Sequence, residues 1–275
     1  MGSYGAGLTF GIERAPERGE TIVGNFLRTD HGGKGSNQAI GAARLGAEVA
    51  LLSAVGPDAF GDGAMELWAA EGVDAGAVVR PELPTMTAAI LVEASGDNRI
   101  VIVPGALEAL TPAHVDAFEA QIAAADVLLV QLEIPLATAL HALEVARSAG
   151  VRSVLNPAPA PGQPIDPVAD YVTPNETEAP AVEGAGGTLV VTLGERGARI
   201  GDELVPAFPA HVVDTTGAGD AFCAAFAVAL AENCPTLDAV RWGCAAGAHM
   251  VEHEGVVPGL PTRAELEERV AVAGR

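Results

Sequence analysis

Short apolar runs bounded by turn residues alternate along the chain with longer stretches whose apolar residues recur at helical spacing. That alternation confines the fold to repeated βα units, an α/β architecture with a mainly parallel sheet flanked by helices. The runs that read as strands are Glu48–Val55, Asp126–Leu132, Val151–Leu155, Asp170–Thr173 and Thr188–Leu193. Helical spacing covers Ser36–Leu45, Ala59–Ala70, Pro112–Ala124, Pro135–Ala149, Gly219–Ala231, Thr236–His253 and Thr262–Val270. Thr111 followed by Pro112 gives the third of these a cap-then-proline start. Two stretches break the rhythm: Leu8–Ile12 with Thr21–Phe26, and Thr87–Val92 with Arg99–Val103, joined through Ser95-Gly96-Asp97-Asn98. Both read as paired short strands with hairpin-type turns, which would build a small antiparallel sheet projecting from the body as a lid.

Composition narrows the partners. A net charge of −21 and a sequence pI near 4.5 set the surface against phosphate backbones and anionic lipid, so nucleic acid and membrane surfaces are not expected partners. The three cysteines, Cys223, Cys234 and Cys244, form no C-x-x-C pair and suit reduced thiols. No apolar run approaches the roughly 18 residues of a membrane span and no basic-then-apolar leader pattern opens the chain, so the cytoplasm is the expected compartment. Of the 15 basic residues only Lys34 is a lysine, and it stands inside His31-Gly32-Gly33-Lys34-Gly35-Ser36. A compact ammonium and a planar guanidinium are not interchangeable, so either the site needs a lysine or one lysine survived by chance.

The segment richest in chemistry is Val213-Asp214-Thr215-Thr216-Gly217-Ala218-Gly219-Asp220. Apolar residues then recur at Phe222, Phe226, Ala229 and Leu230, so two glycines and a carboxylate open a buried helix. Unpaired amides at a helix N-terminus attract anions, and glycines let a phosphate approach the backbone. Asp220 could accept a proton from an attacking hydroxyl while the amides of Gly217, Ala218 and Gly219 stabilise the transferring group. The helix N-terminus should lower the carboxylate pKa and make Asp220 a weak base. An ordinary Gly-rich turn with an Asp cap is the plainer alternative.

With these residues in place the chain resembles the ribokinase family of sugar and nucleoside kinases, the pfkB-type carbohydrate kinases, in which D-T-x-x-A/G-G-D carries the anion hole and the base. Further blocks match in the family's order: Gly32-Gly33-Lys34-Gly35-Ser36-Asn37-Gln38-Ala39, Gln131-Leu132-Glu133, Leu155-Asn156-Pro157-Ala158-Pro159-Ala160, Thr173-Pro174-Asn175-Glu176-Thr177-Glu178, and Val191-Thr192-Leu193-Gly194-Glu195-Arg196-Gly197. The resemblance implies one ribokinase-like kinase domain over residues 1–275, with lid strands from about residues 8–26 and 85–103. It implies ATP and Mg2+ as cofactors and a sugar hydroxymethyl group as acceptor, with a nucleoside as the alternative. Gly33, Lys34, Gly35, Asn37 and Glu133 match the sugar-facing side, together with Asp220. Asn175 and Glu178 match the phosphate and magnesium-water region, and Thr192, Gly194, Arg196 and Gly197 match the nucleotide loop. Cys244 falls where the family lines its adenine pocket. Asp214 and Thr216, with His253, Gly255 and Gly259, match a monovalent-cation site; several members carry serine where Gly259 has only backbone, which leaves K+ an open question. Lid strands with an open edge would pair two subunits into a homodimer.

The chain departs from the pattern in three places. The family opens with G-S-x-N-x-D, whose Asn and Asp hold sugar hydroxyls, whereas Gly5 and Gly7 stand there in Gly2-Ser3-Tyr4-Gly5-Ala6-Gly7. Two hydrogen-bonding groups for ribose are missing, so either other residues compensate or the substrate is different, a bulkier one entering the space with Tyr4 or Arg14 as contributors. Little of a first strand precedes Gly2, which points to a start upstream or an altered sheet edge. Between Glu178 and Thr188 there is room only for Ala-Pro-Ala-Val-Glu-Gly-Ala-Gly-Gly, a compact nucleotide side.

Other readings compete. His249-Met250-Val251-Glu252-His253 spells the H-x-x-E-H of a zinc protease but lacks a third-ligand context. The dinucleotide fingerprint fails because Phe222 stands at the third glycine, and a Walker loop fails because Gly35 follows Lys34 and Arg28 takes the upstream glycine position. A catalytically silent sugar- or nucleotide-binding protein on the same fold is the non-enzymatic alternative.

Overall fold

The computed structural model describes residues 1–184 and 186–272. Its strands are β1 (Gly5–Ile12), β2 (Phe26–Gly32), β3 (Val49–Ala50), β4 (Val73–Asp74), β5 (Thr87–Glu93), β6 (Asn98–Val103), β7 (Val127–Gln131), β8 (Arg152–Asn156), β9 (Tyr171–Val172), β10 (Thr188–Thr192), β11 (Ala198–Ile200) and β12 (Glu203–Val205). Its α-helices are α1 (Lys34–Arg44), α2 (Ala59–Ala70), α3 (Pro112–Ala117), α4 (Glu119–Ala124), α5 (Leu136–Ala149), α6 (Ala218–Ala231), α7 (Thr236–Met250), α8 (Val256–Gly259) and α9 (Arg263–Val272).

The larger sheet runs β12-β11-β10-β9-β8-β7, parallel from β7 to β10 and antiparallel at β11 and β12. Continuous apolar runs fit strands buried on both faces. Adjacent residues of β8 show this directly: Val154 enters a core with α1, α2, α6 and α7, while Leu155 enters a second core with α3 and α5. Beyond β7 the hydrogen bonding continues through the opening residues. The Met1 nitrogen donates to Leu129 O at 2.6 Å and Gly2 N donates to Leu52 O at 3.1 Å. From there Val55 N donates to Val79 O and Val79 N to Ser53 O. The expected strand Glu48–Val55 is thus regular only at β3 and otherwise pairs irregularly.

The second sheet is four-stranded, in the order β2-β1-β5-β6. β5 and β6 form the expected hairpin, with Ile90 opposite Ile100. The expected strand Thr21–Phe26 is corrected: β1 pairs instead with β2, from Gly5–Gly32 to Gly11–Phe26, and residues 13–25 form the connection. β2 is largely exposed on both faces, so no period-2 apolar pattern marks it, and Phe26 at its start was mistaken for an end. The expected helix Pro112–Ala124 bends at Phe118 into α3 and α4. The expected helix to His253 stops at Met250.

Candidate active site

The Gly-rich block is shaped by close approach. Gly33 precedes α1 with φ of 91°, and a Cβ there would lie 2.5 Å from the Tyr4 Cα. A Cβ on Gly35 would lie 2.4 Å from the Gly2 carbonyl carbon and the Ser3 nitrogen. The first turn of α1 therefore rests on the opening segment, with Ser36 N donating to Ser3 O at 2.7 Å. Glu133, just past β7, clamps the same junction: its Oε2 accepts from Ser3 Oγ at 2.5 Å and from Lys34 N at 2.9 Å, a carboxylate on a helix N-terminus. Lys34 faces Asp220, Glu133 and Glu178; burial works to lower its pKa, but those carboxylates win and raise it, so its ammonium stays charged.

Asp220 lies in the first turn of α6, 6% exposed. Its Oδ2 accepts from Asn37 Nδ2 at 2.8 Å and its Oδ1 from Gln38 Nε2 at 2.9 Å. The expected weakening by the helix dipole is corrected. Burial dominates and raises the Asp220 pKa, against the opposing pull of Lys34, Asn37 and Gln38, so the carboxylate is a stronger base than the sequence suggested. Asn37 Oδ1 is buried with no partner among the described residues, an acceptor beside the carboxylate. Gly217, in the left-handed region at φ of 80°, turns the chain into α6. Ala218 N is engaged by Thr215 O at 3.3 Å, which removes it from the expected trio of anion-binding amides. The amides of Gly217, Gly219 and Asp220 donate to no protein acceptor among the described residues.

On the nucleotide side, Asn175 and Glu178 cap each other. Asn175 Oδ1 accepts from the amides of Thr177 and Glu178, and Glu178 Oε2 accepts from Asn175 N at 2.9 Å. Glu178 is buried, which raises its pKa against the pull of Asn175 and Lys34, and its Oε1 has no protein partner among the described residues. That free oxygen fits a water of a hydrated magnesium ion, while the Asn175 Nδ2 can only donate and so suits a phosphate oxygen. Thr192 ends β10 with its amide on Pro174 O, and Gly194 and Gly197 frame a tight turn that carries Arg196, paired outward to Glu176 at 2.5 Å. Cys244 is buried in α7 with Sγ 3.9 Å from Val205 O, and burial pushes its thiol up to about 12, so it packs rather than reacts.

Around the presumed cation loop, Asp214 Oδ1 accepts from Thr216 N at 2.9 Å and Oδ2 from Gly255 N at 3.5 Å. Burial opposes ionisation there, but these hydrogen bonds hold the Asp214 carboxyl below its ordinary range. Asp214 thus fixes the loop through its own hydrogen bonds. His253 turns its Nδ1 to His249 O, and a Cβ on Gly259 would meet Met250 Cε at 2.6 Å, so a serine there would require the end of Met250 to move. His249 and His253 stack at 4.6 Å, and no group of three metal-ligating side chains occurs among the described residues, which removes the zinc-protease reading.

The space left at Gly5 is not empty. A Cβ there would lie 2.2 Å from Met86 Cε, so a thioether fills the position. Gly7 is open: a Cβ would make only ordinary contacts of 3.7–4.0 Å with Asp30 and Ile90. Neither proposed contributor serves. Tyr4 is fully buried with its hydroxyl on His31 Nδ1, and Arg14 is exposed and paired to Glu20.

Sequence reasoning passed over three buried amides, Gln38, Gln131 and Asn156, although each lay inside a block that carried the resemblance. Their burial was the missing signal, since an amide in a core must be partnered.

Comparison with known proteins agrees with this architecture. Residues 8–263 match the pfkB family of carbohydrate kinases. The chain is 39% identical over 285 residues to ribokinase of Bacillus subtilis, covering 98% of this chain and 97% of that one. It superposes on ribokinase of Thermotoga maritima with a TM-score of 0.89 at 32% identity, covering 98% of this chain and 97% of that one. A structure of Arabidopsis thaliana ribokinase complexed with ribose and ATP gives a TM-score of 0.90 at 31% identity, covering 98% and 96%. The chain is a phosphotransferase with an alcohol group as acceptor. It belongs to the pfkB family of carbohydrate kinases, among its ribokinase-like sugar and nucleoside kinases.

Proposed function

We propose that the protein is a cytoplasmic, ATP-dependent sugar kinase that transfers the γ-phosphoryl group to a sugar hydroxymethyl, with free ribose a poor acceptor. The observation that carries the reading is the buried Asp220 carboxylate beside the unpartnered Asn37 Oδ1, with the free amides of Gly217 and Gly219 at the same helix tip. Asn37 Oδ1 and Glu133 Oε1 accept from acceptor hydroxyls. Asp220 takes the proton as the acceptor oxygen bonds to the γ-phosphorus and the bond to the β-phosphate bridging oxygen breaks. The amides and the Lys34 ammonium face the transferring oxygens, where fixed donors act without reorganising. Magnesium, held through water at Glu178, would supply charge neutralisation on the phosphates, with the Asn175 Nδ2 donating to a phosphate oxygen. The four-stranded sheet acts as a lid that excludes water.

The acceptor preference follows from Gly5 and Gly7. Two absent hydrogen bonds, each about 1 kcal/mol or more, weaken ribose binding by roughly 30-fold. A panel of sugars and nucleosides with ATP and magnesium, followed by ADP release, tests this. A larger sugar should exceed ribose in kcat/KM, nucleoside preference would move the acceptor to the alternative class, and clear ribose preference would remove the proposal. Gly7→Asp, which restores the family's acidic side chain where a Cβ would make only ordinary contacts, should lower the ribose KM by about 5-fold.

The lid also supports a homodimer. Every residue of β6 is exposed, and Ile100, Val101, Ile102 and Val103 are each more than half exposed on an open edge. Ile102→Lys is expected to shift sedimentation from dimer to monomer; a wild-type chain that already sediments as a monomer would end this reading.

A further inference from the structure

We infer that Gln38 is a positioning residue for Asp220, its polarity set by a chain of buried amides that starts at the Thr173 backbone carbonyl, just past β9. The inference rests on the reading of Asp220 as the base.

A glutamine amide is nearly symmetric in shape but opposite in chemistry at its two ends, so a buried one holds a carboxylate only if something fixes which end points where. Here the fixing can be followed link by link. The Thr173 carbonyl can only accept, so Asn156 must present its Nδ2 to it, at 2.9 Å. Asn156 therefore presents its Oδ1 to Gln38, whose Nε2 donates at 3.2 Å. The second hydrogen of that Nε2 then points at Asp220 Oδ1, 2.9 Å away. On the other end, Gln38 Oε1 accepts from Gln131 Nε2. Gln131 is left with Oε1 buried and unpartnered, against the Gly2 backbone. A core that required only packing would fill that place with an apolar side chain; an amide whose other end is unsatisfied is spent on holding Gln38.

The consequence falls on the base. With Asn37 on Oδ2 and Gln38 on Oδ1, the carboxylate is fixed in rotation and each oxygen keeps a lone pair for the cleft. The charged groups that face it are Lys34 on α1, Glu133 after β7 and Glu178 in the turn after β9, with the Cys223 thiol on its own helix. Gln38 is, with Asn37, one of the two side-chain donors that offset the burial of that carboxylate.

Gln38→Met keeps the length and removes both hydrogen-bonding ends. It is expected to lower kcat by roughly 10- to 100-fold, leave the KM for ATP unchanged and move the acid limb of kcat to higher pH. Merely structural damage would move Tm without moving that limb. In an Asp220→Asn background, Gln38→Met should cost nothing further. Asp220→Asn alone separates the two failures. If it abolishes turnover while Gln38→Met has wild-type kcat and pH profile, the positioning role is overturned and the base stands. If Asp220→Asn turns over normally, the base itself is wrong. Should Gln38→Met not fold, Asn156→Leu decides: it removes the acceptor that orients the Gln38 amide, and kcat should fall several-fold with the same direction of limb shift, whereas a wild-type profile overturns the inference.

Discussion

Asp220→Asn is expected to lower kcat by about 1,000-fold, the range of a lost general base, with ATP binding intact and the protein no less stable at neutral pH. The stability half of this follows from the pair of amides around the carboxylate. Gln38 Nε2 can donate to the oxygen of the new amide. Asn37 can turn its amide so that Oδ1 accepts from the new nitrogen, which leaves its Nδ2 instead of its Oδ1 without a partner and so keeps the hydrogen-bond count, while no charge has to be buried. The pH dependence has a definite sign. Burial raises the folded-state pKa of Asp220 above its ordinary value of 3.8, so the folded state holds a proton that the unfolded state has released. Wild-type stability therefore falls as pH rises from about 4 through the folded pKa, and the variant does not share that fall. The Tm of the variant minus that of the wild type should be smallest below pH ~4, grow as pH rises and then level off. Turnover within about 10-fold of wild type would remove Asp220 as the base.

Gly35→Ala is expected to destabilise the protein by about 3 kcal/mol, roughly 6–12 °C in Tm for a chain of this size. The added Cβ would stand 2.4 Å from backbone atoms of Gly2 and Ser3, which cannot rotate away. Relief requires α1 to lift from the opening segment, which stretches the Ser36 N to Ser3 O bond and draws Lys34 N from Glu133. Activity should fall with stability, because the same junction positions Asn37 and Lys34. The same substitution on α2 has the opposite sign. A Cβ on Gly63 meets only His31 Cε1 at an ordinary 3.7 Å, so Gly63→Ala should gain about 0.5–1 kcal/mol from helix propensity alone. Thermal unfolding of the two variants side by side measures the difference; equal shifts would mean that close packing at Gly35 is not what the glycine serves.

Much of the architecture was legible because its signals are local. The strands β7 to β10 and helices α2 and α5 follow from apolar runs and turn residues, and their observed bounds fall within a residue or two of those expected. β2 was misplaced because a strand exposed on both faces carries no alternation to read. The site was legible as a set of residue types, since glycines before a helix and an acid in its first turn advertise anion chemistry. Their environment was not. The expected weak base became a stronger one because desolvation by burial outweighs the pull of Lys34, Asn37 and Gln38, and no spacing rule reports how deeply a side chain lies. Gly5 illustrates the same limit: the sequence marks a missing side chain there, yet only packing shows Met86 in its place.

The sequence by itself determined the order of the βα units, the acid at the tip of α6 and the single lysine near the start of α1, because periodicity and residue chemistry are properties of neighbours along the chain. Tertiary structure decided which amides stay free, which carboxylate oxygens are already taken and which way the pKa of Asp220 moves. Those outcomes depend on contacts between residues as far apart as Gln38 and Asp220, and on the water that such contacts exclude.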